Sequence, residues 1–238
     1  MRSQLLTQSD IQDKGTVQLH PLGQEGTDEV GRQYRYGKAG GTITAGQVLT
    51  CPANVANHVG SRATNSAAIG DSEIQVTVGA TAVTADQYQG GVIVINAGTG
   101  IGQQFKIKGN TAAASSGTTT VYIEGQVKVA LASADSKADL YPNKFNGLTA
   151  SNTLLLRRVC VATQGFSNGE YGWFATRGVF GVLVEGSAVG LADPVIPSAT
   201  TAGAVEGIGT AAVTDQVVGY AIKAGVTAQV SGVDLNLE

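Results

Sequence analysis

Glu73-Ile74-Gln75-Val76-Thr77-Val78 alternates polar and apolar side chains without a break. A period of two puts Ile74, Val76 and Val78 on one face and predicts a strand buried on that side only. The same signal recurs further along. Gln104-Phe105-Lys106-Ile107-Lys108 and Thr120-Val121-Tyr122-Ile123-Glu124 alternate again, while Gly91-Val92-Ile93-Val94-Ile95 is apolar throughout and reads as a central strand. Asn96-Ala97-Gly98-Thr99-Gly100 and Gly109-Asn110-Thr111 supply the turns between them. Val127–Leu131 reads as one more strand, and a short helical turn is expected around Ser133–Leu140, cut off by Pro142. Residues 71–148 therefore read as a self-contained β domain.

The flanking sequence is β-like as well. Tyr34-Arg35-Tyr36, Thr42-Ile43-Thr44 and Gln47-Val48-Leu49-Thr50 are short strands separated by Gly40-Gly41 and Ala45-Gly46, and a polar loop follows from Pro52 to Gly70. After residue 150, strands are expected at Leu154–Ala162, Tyr171–Thr176, Val179–Val184, Pro194–Ile196, Val217–Ile222, Ala228–Val230 and Val233–Leu237. Gly and Asn punctuate them at the spacing of a barrel or sandwich. No stretch of a dozen residues carries a 3.6 period. The expected fold is all-β: a Gly-rich barrel or sandwich body from residues 36–70 and 149–238, with 71–148 inserted. Residues 1–35 hold only isolated aliphatic side chains, among them Leu5, Leu6, Ile11, Val17 and Leu19, between Gln, Thr, Asp and Gly. Such a segment buries no core of its own and is expected to be an extended arm that docks along a neighbouring subunit.

Composition narrows the function. Hydrophobic residues make up 42% of the chain, which excludes wholesale disorder. Charged residues are 14%, against about 25% in an average domain, and this suits a protein whose surface is covered by neighbours. The net charge is −3 and no basic run exceeds Arg157-Arg158, so no footprint for nucleic acid is present. No apolar stretch is long enough to span a membrane as a helix, and Met1–Asp10 lacks the apolar segment of a secretory signal, so synthesis in a cytoplasm is expected. Cys51 and Cys160 have no metal-ligand spacing and read as small buried thiols, with a single bridge between them left open.

Catalytic equipment is sparse. Gly207-Ile208-Gly209-Thr210-Ala211-Ala212 fits a dinucleotide fingerprint in letters, but neither a strand before it nor a helix after it is expected. His20 and His58 are the only histidines, and the carboxylates form no metal-binding series. No cofactor, metal or enzymatic activity is expected. Trp173, the only tryptophan, reads as a core or interface aromatic. If Tyr171–Arg177 is one strand, then 171, 173, 175 and 177 share a face and Arg177 lies at the rim of the Trp173 contact.

Gly169-Glu170-Tyr171-Gly172-Trp173-Phe174-Ala175-Thr176-Arg177-Gly178 resembles a signature of the head decoration, or cement, proteins of tailed phages. Tyr34–Ala39 with Ile43–Val48 is similar to the opening of that family, and Val218–Ile222 with Val233–Leu237 to its closing hairpin. The resemblance implies a structural virion protein that binds the outer surface of an assembled capsid and stabilises it. Its partners would be the major capsid protein and further copies of itself, as a trimer or another homo-oligomer. Leu5, Leu6, Ile11, Val17, Leu19, Tyr171, Trp173 and Arg177 are the interface residues expected on this reading. The rival reading is a receptor- or sugar-binding β module of a tail fibre or adhesin.

Overall fold

The computed structural model describes residues 3–154, 156–185, 189–208 and 216–237. The chain is all-β, with seventeen strands and one five-residue helix among the described residues. In chain order the first elements are β1 (Gln4–Leu6), α1 (Gln8–Gln12), β2 (Glu25–Asp28), β3 (Gln33–Ala39) and β4 (Val48–Thr50). Next come β5 (Arg62–Ala63), β6 (Glu73–Thr77), β7 (Val92–Ala97), β8 (Gln104–Asn110), β9 (Thr118–Ile123) and β10 (Lys137–Tyr141). The last are β11 (Asn146–Ala150), β12 (Arg158–Val161), β13 (Tyr171–Val184), β14 (Pro194–Pro197), β15 (Val205–Gly207), β16 (Gly219–Ala221) and β17 (Gln229–Asn236). They form two compact units: Met1–Pro52 with Lys144–Glu238, and Ala53–Asn143.

In the first unit the strand pairings close two rings. One runs β3-β11-β4-β12-β13 and back to β3; the other runs β13-β15-β14-β16-β17 and back to β13. The fourteen-residue β13 belongs to both, pairing with β3 and β12 through its first half and with β17 and β15 through its second. The sequence suggested two strands here. They fuse because the alternation only changes phase, at a bulge between Ala175 and Arg177. Before it, Trp173 and Ala175 belong to one apolar cluster and Phe174 to another; after it, Phe180, Val182 and Val184 rejoin the Trp173 cluster. One extra residue thus moves the core-facing set from odd to even numbers. Gly178, at φ +103°, lets the chain pass Arg32, whose Cγ would lie 3.1 Å from any Cβ there.

Ala53–Asn143 closes a ring in the order β5-β10-β7-β8-β9-β6, with Thr64 bridging to Val76 across the seam. Its core holds Ile74, Val76, Ile107, Val121 and Ile123 from the alternating stretches, together with Ile93 and Ile95 of β7 and Leu140 of β10. The limits differ from the expected 71–148. Residues 53–70, read as a loop of the body, supply β5 and the seam, and β11 belongs to the first unit. Val127–Leu131 is not a strand, and Leu131 makes only an isolated bridge to Ala67. Of the helical turn expected at Ser133–Leu140, residues 133–135 form a turn, with the Asp135 and Ser136 N–H groups donating to the Ala132 carbonyl, while 137–140 belong to β10, because Ala138 and Leu140 are drawn into the core beside β7. His58 is fully buried, with Nδ1 2.6 Å from the Tyr88 hydroxyl and Nε2 2.9 Å from the Thr81 carbonyl. A carbonyl only accepts, so Nε2 carries the proton and the Tyr88 hydroxyl donates to Nδ1.

A recurrent turn fastens the first ring of the first unit and the ring of the second. Ile43 and Phe166 exchange backbone bonds of 2.9 Å each, as do Ala67 with Leu131 (3.1 and 2.8 Å) and Val83 with Ala113 (2.9 Å each). After each of these residues the chain reverses in a four-residue turn. In four of the turns the last residue's side chain accepts from the first residue's N–H: Gln47 from Thr44, Asp71 from Ala68, Gln87 from Thr84 and Glu170 from Ser167. The third turn position has positive φ at Gly46, Gly70, Asp86, Ser116 and Gly169, as a type II-like reversal requires.

The N-terminal segment is not an extended arm. β1 pairs in parallel with β2, and α1 is held by a capping box in which Thr7 and Asp10 bond reciprocally. Leu6 and Ile11 join the cluster of Tyr34, Tyr36 and Trp173. The segment covers the aromatic outer face of its own first ring, which would otherwise be exposed. Cys51 and Cys160 are not disulfide-bonded. Arg158 is fully buried and donates to the carbonyls of Ser151, Thr153 and Leu156.

Two measurements test these features. Gly46→Ala should destabilise the fold by about 1–3 kcal/mol, because its φ is +85° and a Cβ would lie 2.9 Å from Val230 Cγ2. Ser116→Gly, at φ +60°, should instead be neutral or stabilising by up to about 1 kcal/mol; equal losses in thermal melts would rule out the turn argument. At the end of β13, hydrogen bonds from the Ser198 hydroxyl and from Thr201 hold the Glu185 carboxyl at about 2 against an ordinary 4.5. A depressed folded-state value means that its contribution is complete above pH 4.5 and is lost as pH falls towards 2. Glu185→Gln should therefore flatten the acid limb of a melting-temperature profile between those values.

Candidate functional site

Residues 13–20 cross the outer face of β3 and β13 as a strap, tied at both ends. At one end Gly15 and Tyr171 exchange backbone bonds of 3.2 and 2.7 Å. At the other the Leu19 N–H donates to the Tyr36 hydroxyl at 3.1 Å. Beneath the strap lies a cavity of about 320 Å³, lined by Asp10, Asp13, Lys14, Val17, Leu19, His20, Tyr36, Tyr171 and Trp173. β-Pairing builds its floor, since Trp173 stands opposite Tyr36 and Tyr171 opposite Lys38.

The aromatic rings lock one another. Tyr36 meets Trp173 edge-on, with centroids 5.3 Å apart, and stacks within 14° of Tyr171 at 6.3 Å. The His20 ring sits 5.0 Å from Tyr36 and 5.3 Å from Trp173. Trp173 is 2% exposed and Tyr36 3%, so these two are the rigid base while Tyr171, His20, Val17 and Leu19 form the accessible wall. Burial pushes the Tyr36 hydroxyl's pKa up.

Charge at the rim is mostly acidic. The Thr7 hydroxyl and backbone N–H hold the Asp10 carboxyl below its usual value, with His20 assisting. Lys14 turns aside: its ammonium donates to the Gly165 carbonyl at 2.7 Å, pairs with Glu170 at 3.3 Å and lies over the Phe166 ring. The Ser167 N–H, with help from Lys14, holds the Glu170 carboxyl below its usual value. Among the described residues no group of three metal-ligating side chains occurs.

Of the eight residues expected from the sequence, four meet here: Val17, Leu19, Tyr171 and Trp173. Leu6 and Ile11 are core residues of the same chain, and Leu5, 69% exposed, faces solvent. Arg177 does not reach the Trp173 contact. The bulge turns it outward, and it is exposed. Asp10, Asp13, His20 and Tyr36 were not foreseen as site residues. His20 and the two aspartates sit in sequence with no period, and only the strap brings them to the aromatic face. Part of the Gly207–Ala212 motif lies outside the described residues; its Gly207 ends β15. Comparisons with protein-family models, curated proteins and solved structures returned no match.

Trp173→Ala should cost about 3–5 kcal/mol in chemical denaturation, the range for a buried large aromatic. A loss under about 1 kcal/mol would mean that the strap, not the ring, holds this face together.

Proposed function

We propose that this chain is a structural, non-enzymatic β protein of a tailed-phage head, bound to the outer surface of the capsid and reinforcing it. One observation carries the reading. The three stretches that resemble the decoration family are far apart in sequence yet pair with one another. Trp173 stands opposite Tyr36, Gly178 opposite Leu235, and Tyr220 opposite Asp234. The 34–39 and 233–237 stretches both pair with the 169–178 stretch, on β13.

The N-terminal segment supplies the capsid-facing surface in this proposal. With Leu6 and Ile11 buried in the chain itself, Leu5, Val17 and Leu19 stay 69%, 69% and 64% exposed. Large aliphatic groups exposed on a segment anchored at both ends are ordered before binding, so little entropy is lost when they dock. One such contact is weak, but many copies on one shell, linked to each other, leave slowly. The low charge of the chain limits the desolvation cost of broad contact.

The test is to mix the purified chain with capsids stripped of accessory proteins, then sediment and image them. Ordered protrusions at symmetry-related positions are expected, and absence of co-sedimentation with both unexpanded and expanded shells would refute the proposal. Leu5→Asp, Val17→Asp and Leu19→Asp combined should reduce occupancy at limiting protein by about tenfold or more without lowering the melting temperature. Deletion of residues 1–32 is not an equivalent experiment, because it also removes Leu6 and Ile11 from the core.

A further inference from the structure

Around the cavity under the 13–20 strap, polar groups keep hydrogen-bonding capacity that the described residues do not use. The Asp13 carboxylate accepts no bond from them, and Asp10 uses only Oδ2, which takes both Thr7 bonds. The Tyr36 hydroxyl accepts from the Leu19 N–H, with the His20 backbone N–H also directed at it, but its own proton has no acceptor among the described residues, although Tyr36 is only 3% exposed. The His20 ring nitrogens are likewise unused within that set, its contacts being to rings. Unspent donors and acceptors that converge on a cavity with aromatic and aliphatic walls are the usual make-up of a small-molecule site.

We propose that this cavity binds one ring of a neutral saccharide. A sugar hydroxyl donates to a carboxylate and accepts from the Tyr36 O–H at the same time, and the ring's C–H face matches Tyr171, His20, Val17 and Leu19. An alkylammonium ion would satisfy Asp10 and Asp13 but offers no acceptor to Tyr36. An acidic sugar would face two carboxylates, with the Lys14 ammonium already held by Gly165 and Glu170. The volume, about 320 Å³, is at the small end of the roughly 300–1,000 Å³ of ligand pockets, which suits one ring rather than a chain. The site belongs to the chain itself and does not depend on its assignment to a phage head, so failure of capsid binding would leave it untouched.

The experiment titrates the full chain with glucose, galactose, mannose and N-acetylglucosamine, with glucuronate and putrescine as charged controls. Binding is followed by saturation-transfer NMR and by the fluorescence of Trp173, the only tryptophan. Saturable binding of at least one neutral sugar is expected, with none of glucuronate or putrescine. Tyr36→Phe keeps the ring and deletes only the hydroxyl, and Asp13→Ala alters an exposed side chain that bonds to nothing described. Each should weaken the sugar about tenfold or more while the melting curve stays sharp. No neutral sugar bound at tens of millimolar, affinity undiminished in both variants, or saturable binding of putrescine instead would each overturn the proposal.

Discussion

Strand β13 is shared between two closed rings, and the rest of the first unit is arranged around that sharing. Gly172 to Thr176 are buried without interruption, because ring interior lies on one side of the strand and the N-terminal cover on the other. Such a strand has room for large rings on alternate sides only where its neighbours are small. A Cβ at Gly172 would lie 2.6 Å from the Phe166 ring, and one at Gly26 would lie within 3 Å of both Leu6 and Trp173. The frequent glycine therefore reflects backbones approaching large side chains as well as the need for turns.

The bulge at Ala175–Arg177 resolves a geometrical conflict. A strand that keeps strict alternation presents one set of side chains to one core, whereas β13 is shared by two rings. One extra residue and the positive φ of Gly178 change the phase, so that Trp173 and Val182 belong to a single apolar cluster. Position 177 falls outside it. The turns are closed by side chains in the same local way, with Gln47, Asp71, Gln87 and Glu170 each accepting from the first turn residue's N–H.

The strands of both units were readable wherever alternation was unbroken, as at 73–78 and 120–124, since a period of two reports burial on one face directly. The N-terminal segment was not readable in that way. Leu6 and Ile11 are isolated in sequence, and their partners, Tyr34, Tyr36 and Trp173, are contributed by strands that say nothing about what covers them. The cavity was half legible. Trp173 and Tyr171 stand out as aromatics on a strand, but Asp10, Asp13 and His20 gain their meaning only from the strap's return to that face. Arg158 was not legible either: its fork of donors gathers the carbonyls of Ser151, Thr153 and Leu156, which only the fold brings to it.

The paired turns also shape the time course of folding. The bridge between Ile43 and Phe166 joins positions more than a hundred residues apart, and neither turn gains that contact until the intervening chain, including the whole second unit, has been brought back. Loop-closure entropy is spent before the reward arrives, which makes assembly of the first ring slow and its contacts strongly non-local. The same contact must break before the ring can open. The long span therefore acts on how fast the first ring forms, and says nothing by itself of how firmly it is held.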